Sequence, residues 1–232
     1  LDDMVAGMFC DCATEGAMEE NAFEKSDAPV RILKVPLAKT LLAQKGRFEE
    51  ADAFIREQEK IYEGRRLFMN NRIKLIADGA FFSQFMRMNP PGYTDGHEGK
   101  WITEPDELRT MGRDFWNAGY TIHTHVNGDE GLDVVLDLLE DLQTDKPRPD
   151  HRFTLEHLGY STEAQNRRLT ELGALVSAQP NYVYVLSHEY ARNGMGYDRA
   201  SQISRLGSLE RLGVPLALHS DLTMAPAQPL FL

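Results

Sequence analysis

Cysteine is almost missing from this chain: there are two, Cys10 and Cys12, in 232 residues. Two thiols one residue apart neither staple a domain of this size nor complete a structural zinc site, so both are expected to be free. No apolar run is long enough to cross a bilayer, and 42% hydrophobic with 26% charged residues is the make-up of a soluble globular chain. Basic charge is in deficit, with 25 Lys and Arg against 36 Asp and Glu and a formal charge of -11. Such a surface repels phosphate backbones and offers no basic stripe, which excludes nucleic acid as a partner. No Gly-, Ser- or Pro-rich linker divides the sequence, and no low-complexity tract interrupts it. The opening "LDDMVAGMFCDC" lacks an initiator Met and the basic start, apolar middle and small-residue cleavage site of a signal peptide. The chain therefore reads as truncated at its front. The compartment is not encoded, with the cytoplasm as the default, and a homo-oligomer is left open.

What is present is alternation. Six short β-rich runs are separated by helical patterns: "VRILKVPLA" (30–38), "RIKLIADG" (72–79), "YTIHTHV" (120–126), "RFTLEHL" (152–158), "ALVSAQP" (174–180) and "VPLALHSD" (214–221). This is the arrangement of successive βα units around a parallel sheet, and the length is close to the roughly 250 residues of an α/β barrel. In "DEGLDVVLDLLEDLQ", Leu132, Val135, Leu139 and Leu142 fall on one helical face, with Asp133, Asp137 and Asp141 elsewhere. "RRLTELGALVSAQP" and "LERLGVPLALHSD" both run helix, Leu-Gly, strand, with Gly173 and Gly213 suited to the left-handed position that stops a helix. Residues 38–71 read as a charged, mostly helical excursion. The first 25 residues read as the helical half of a preceding unit. Six strands leave two edges, so either the sheet is open and doubly wound or two units of a closed barrel are missing; the favoured expectation is α/β, a (β/α)8 barrel incomplete at its N-terminus with strands three to eight present, forming one domain over residues 1–232.

Catalytic groups in such barrels gather at the carboxyl ends of strands. There the sequence places His125, His157 and Asp221, each followed by a turn or helix start, and within an apolar strand it places Lys74 on the face of Ile76 and Asp78. An ammonium in an apolar strand is costly without a partner. Imidazole and carboxylate on neighbouring strands suit a divalent metal, with zinc, manganese, iron or nickel compatible with these donors. A lone strand-end histidine is more often a hydrogen-bonded structural residue than a ligand, so the set carries the argument and no single member does.

"IKLIADGA", "HVNGD", "LEHLG", "SAQP" and "HSDLTMAP", in this order, resemble the amidohydrolase superfamily, specifically the branch related to N-substituted formamide deformylases. The resemblance covers residues 30–232. It implies one or two divalent ions, zinc first, held by Lys74 as a carboxylated bridge together with His125 and His157. It also implies contact of Asp221 with the first metal, where it takes a proton from the attacking water. The family carries a His-x-His pair on its first strand, and no such pair precedes residue 121 here. The implied activity is hydrolysis of a non-peptide C–N bond in a small amide-type substrate. A lactone or phosphoester hydrolase on the same site, and a non-catalytic barrel lacking the first-strand ligands, are the alternatives. His123 and His219 lie two residues before His125 and Asp221 and are expected either to orient the ligands or to hydrogen-bond within the barrel. Asp78, Asp129 and Gln179 are further candidates to support the site or line the substrate pocket. "AFFSQFMRM" (80–88) and "NYVYVLSHEY" (181–190) fit an apolar pocket or ordinary loop core equally well. "YTDGHEGKWI" (93–102), with Asp95, His97 and Glu98, reads as a turn.

Overall fold

The computed structural model describes residues 5–11, 25, 31–63, 65–222 and 224. The expectation about the two thiols concerns side chains outside the described residues. The chain divides into two compact units, one of Leu1–Leu75 with Met111–Ile122 and one of Ile76–Thr110 with His123–Leu232.

The first unit carries a parallel sheet in the order β1 (Val5–Asp11), β2 (Arg31–Pro36), β3 (Leu67–Phe68). The strand at Val5–Asp11 replaces the helix expected at the front of the chain. A short apolar run such as "VAGMFC" has no decisive periodicity, and pairing with β2 from Val5↔Arg31 to Asp11↔Pro36 settles it as a strand. Helices α1 (Ala38–Lys45) and α2 (Phe48–Ile61) form the expected excursion. From α2, Ala51 and Ile55 are fully buried, and Phe48 meets Phe115 edge-on at 5.1 Å between ring centroids. Tyr120 packs edge-on against Phe115 at 5.2 Å and donates its hydroxyl to Asp52 at 2.7 Å. β4 (Arg72–Ile76) and α3 (Pro105–Asn117) begin in one unit and end in the other, as does β5 (Thr121–Val126).

In the second unit, the later part of β5 pairs in parallel with β6 (Thr154–His157), which pairs with β7 (Leu175–Ala178) and then β8 (Leu216–Leu218). These strands alternate with helices α4 (Asp129–Asp145), α5 (Glu163–Glu171) and α8 (Leu206–Arg211), so this part of the chain is α/β with a parallel sheet. The apolar stripe of α4 is buried at Leu132, Val135, Leu139 and Leu142 as its periodicity requires. Thr162 and Gln165 close a capping box at the start of α5. Gly173 at φ 71° and Gly213 at φ 74° take the left-handed conformation after their helices. Beyond β7 the chain forms α6 (Asn181–Glu189), a π-helical turn (Tyr190–Gly194) and α7 (Tyr197–Ala200).

The two aromatic runs meet as core. Phe81 stacks on Tyr182 at 4.3 Å and 10°, Tyr190 donates its hydroxyl to the Phe81 carbonyl at 2.6 Å, and Met86, Met88, Tyr93 and Met195 belong to the same cluster. Phe82 packs at its margin, while Val183, Tyr184 and Val185 face outward. In the expected turn at 93–102, His97 bonds Asp95 through Nδ1 at 2.6 Å and the Gln84 carbonyl through Nε2 at 2.8 Å, which occupies both ring nitrogens. No helix among the described residues is long and apolar enough to cross a membrane.

Gly128, at the start of α4, lies against the backbone of the loop after β4: a Cβ there would stand 1.8 Å from the Arg87 carbonyl oxygen. Its φ of -98° suits any residue, so crowding alone excludes a side chain. Gly128→Ala is expected to cost about 3 kcal/mol of stability, at the upper end of ordinary overpacking. Gly213→Ala, strained only by its backbone and with open space around it, is expected to cost about 1–2 kcal/mol. Urea unfolding of both variants checks the order.

Candidate metal centre

Side chains alternate along β5, so Ile122, Thr124 and Val126 are buried on one face and His123 and His125 share the other. Parallel register places His125 opposite Glu156 and Glu156 opposite Ser177, which gives all three the same face. His157 is next in sequence to Glu156 and by alternation would point away. Its φ of 72°, followed by Leu158 at φ 48°, breaks the pleat and returns the imidazole to the face of His125. The rings of His125 and His157 stand edge-on at 4.6 Å and 67°, and those of His157 and His219 at 4.9 Å and 79°. Left-handed backbone at two adjacent residues with side chains costs on the order of 1–3 kcal/mol each and is held by its surroundings. Here the Leu158 amide donates to the Val126 carbonyl at 3.1 Å and the Gln179 amide to the His157 carbonyl at 3.2 Å.

Six polar residues of the second unit form one connected set. His123 Nδ1 lies 2.8 Å from Glu156 Oε1, and His219 Nδ1 lies 2.8 Å from Ser177 Oγ and 3.8 Å from Glu156 Oε2. His219 Nε2 lies 3.0 Å from His157 Nδ1, which is also 3.0 Å from Gln179 Oε1. The Gln179 amide is oriented by its Nε2 donating to the Ser220 carbonyl at 3.4 Å. Nothing in the sequence pattern marks Ser177, or Asn127, whose Nδ2 lies 3.1 Å from His125 Nε2. A carboxylate inside the apolar run "FTLEHL" was the available signal for Glu156.

The remaining candidates take several positions. Lys74 belongs to the first unit, buried in β4 with its backbone bridged to Leu37. Asp221, half-buried after β8, takes a left-handed φ of 53°, and its charge acts on the Tyr182 hydroxyl. Asp129 accepts the Asn89 amide at 3.0 Å and the Glu130 amide at 3.2 Å, anchoring a loop to the start of α4. Asp78 is fully buried and spends its carboxylate on backbone: Oδ1 accepts from Asn127 at 2.9 Å, and Oδ2 from Gly128 and Arg87, each at 2.9 Å. Burial pushes its pKa up to about 7 against the opposing pull of these amides.

Among the described residues, no group of three or more His, Cys, Asp and Glu stands ready to hold a metal ion. The pair at the ends of β5 and β6 nonetheless has the chemistry of two cation ligands. Gln179 Oε1 can only accept, so His157 carries its proton on Nδ1 and its Nε2 is left with a lone pair. His123 Nε2 and Asn127 Oδ1 are buried and find no hydrogen-bond partner among the described residues.

A model of the amidohydrolase family matches residues 17–231. The chain belongs to that family. Comparison with curated proteins finds no match. Among solved structures, the chain is similar to an uncharacterized metal-dependent hydrolase from Pyrococcus furiosus at 22% identity and a TM-score of 0.71, covering 98% of this chain and 43% of that one. A metal-dependent hydrolase from Pyrococcus horikoshii OT3, also uncharacterized, gives 22% identity and a TM-score of 0.68 over 95% of this chain and 42% of that one. This amidohydrolase chain therefore spans less than half the length of those two proteins, and at such identity the likeness is one of fold.

The buried Asp78 carboxyl yields a pH prediction. With a folded pKa of about 7 against an ordinary 3.8, the folded state holds the extra proton between those values. Its contribution is fully present below the unfolded value and is lost as pH rises through the folded one. Asp78→Asn, which cannot offer acceptors to all three amides, is expected to be less stable by about 1–3 kcal/mol at low pH. The gap should narrow as pH rises from about 4 to 8. Urea titrations across that range check it, and a gap that stays constant would refute the assignment.

Proposed function

We propose that this chain carries the metal site of an amidohydrolase that cleaves a non-peptide C–N bond in a small amide-type substrate. The observation that carries the reading is His157, turned out of strand alternation to stand edge-on to His125 at 4.6 Å with its Nδ1 tied to Gln179. A strained imidazole held by a carbonyl at a strand end is what a cation ligand requires and what a purely structural histidine does not.

In this reading β2 and β4 to β8 are strands three to eight of an incomplete (β/α)8 barrel forming one hydrolase domain. His125 and His157 hold the cation. Lys74, carboxylated, and Asp221 complete a site for one or two ions, zinc first. When bound, the cation supplies Lewis acidity, acidifying water and polarising the scissile carbonyl. Asp221 accepts the proton of the attacking water at its carboxylate and delivers it to the leaving nitrogen. Gln179 fixes the His157 ring. The branch related to N-substituted formamide deformylases is the assignment that the motifs favour.

Metal analysis of the purified chain and assays on amide, ester and phosphoester panels test this. The wild type should retain a divalent cation and favour the amide panel, while His157→Ala loses the cation. Asp221→Asn should keep the cation and lose turnover by about 10²- to 10⁴-fold, the range of a general acid–base group. A wild-type chain that takes up no divalent cation would end the proposal.

A further inference from the structure

Arg199, in α7, is a half-buried cation whose fork is fixed by neutral groups. Its Nε donates to the Met195 carbonyl at 2.9 Å and its Nη2 to the Gly92 carbonyl. Two carbonyls orient a guanidinium but leave its charge whole. Arg87, Arg168 and Arg205 of the same unit are also half-buried, and each grips a carboxylate, on Glu130, Glu140 and Glu163 respectively. Among the described residues Arg199 bonds only carbonyls.

This guanidinium lines a cleft of about 540 Å³ between the loop after β4 and α7. The walls are held in place. Tyr93 and Met195 are each 3% exposed, the Tyr93 hydroxyl donates to the Met86 carbonyl at 3.1 Å, and the Thr94 amide donates to the Gly194 carbonyl at 2.8 Å. Tyr197, also on the lining, is 79% exposed, so most of a large ring contributes nothing to the packing of this chain. An ordered cation beside apolar and aromatic walls suits a small organic anion. A guanidinium carries five N–H donors; two are spent on carbonyls, and the others suffice for a two-bond grip. The planar fork matches a planar carboxylate, and the exposed Asp198 on the same lining disfavours a dianion.

We propose that this cleft is a binding site for a small carboxylate with an apolar, ring-bearing body, the carboxylate on Arg199 and the body against Tyr93, Met195 and Tyr197. The site needs no cation, and the proposal does not rest on the metal reading above. Preorganisation is its basis: the fork is already oriented before a ligand arrives, so little ordering of the arginine remains to be done on binding.

The test titrates the 15N-labelled chain at low ionic strength with three probes that share one body: phenylacetate, phenethyl alcohol and phenethylamine. Phenylacetate should give saturable shifts at the amides of Gly92, Thr94, Gly196 and Tyr197, with an affinity about 10-fold or more above that of the alcohol, as a charge-assisted pair requires. Phenethylamine should bind less tightly than the alcohol. Arg199→Gln should lose about 10- to 100-fold in phenylacetate affinity. Two exposed positions keep the proposal falsifiable if that variant fails to fold. Tyr197→Ala should weaken phenylacetate by about 2- to 10-fold through the lost ring contact, and Asp198→Asn should tighten it by about 2- to 5-fold by removing a like charge. Absence of saturable shifts in the wild type, an alcohol or amine that binds as well as the carboxylate, undiminished affinity in folded Arg199→Gln or in Tyr197→Ala, or weaker binding in Asp198→Asn would each overturn it.

Discussion

The carboxyl group of Asp78 joins two stretches of backbone through three amides. It accepts the amides of Asn127 and Gly128, where β5 turns into α4, and the amide of Arg87, in the loop after β4. The Arg87 side chain repeats the tie, gripping Glu130 in the first turn of α4 with two bonds of 2.9 Å. His125 stands two residues before Asn127, so the position of its ring depends on a turn that a fully buried acid holds closed. Gly128 and Gly131 make this possible: a Cβ on the first would strike the Arg87 carbonyl, and one on the second would stand 2.9 Å from the Asp78 carboxyl carbon. The turn after β5 is thus supported from behind by a buried carboxyl group.

On the opposite side of the pair, support comes from the network around Glu156. Three imidazoles, a carboxylate, a hydroxyl and an amide are linked across four neighbouring strands at the polar face of a parallel sheet. Such a network is stable only if nearly every member is satisfied, and it rigidifies what it satisfies. The two left-handed residues His157 and Leu158 are affordable in that setting, because amides and carbonyls from the adjoining strand ends hold the turn in place.

Much of this was legible in the sequence, and the gaps have physical causes. The strands at 31–36, 72–76, 121–126, 154–157, 175–178 and 216–218 fall inside the runs read from alternation and punctuation. α4 follows its apolar stripe and ends near its expected bound. The segment of β1 carries no period that distinguishes strand from helix, and β3 has only two residues. His125 and His157 stood out as strand-end histidines. Glu156 did not, because alternation assigns adjacent residues to opposite faces, and nothing in "LEHL" announces that the pleat breaks at His157. A left-handed residue that is neither Gly nor Asn leaves no mark in a sequence. Asp78 was recognised as a polar residue on the face of Lys74, but its three backbone partners lie nine and about fifty positions away.

The register of β5 on β6 has an evolutionary corollary. With side chains alternating at a period of two, inserting or deleting one residue within Thr121–Val126 would swap the imidazole face for the one now bearing Ile122, Thr124 and Val126, dismantling the polar network in a single event. The turn-rich stretch before α3 lies outside that register, so a change of length there leaves the imidazole face where it is. Descendants of this chain are therefore free to diversify through the outer loops, while the two histidines of β5 can be inherited only as a frame.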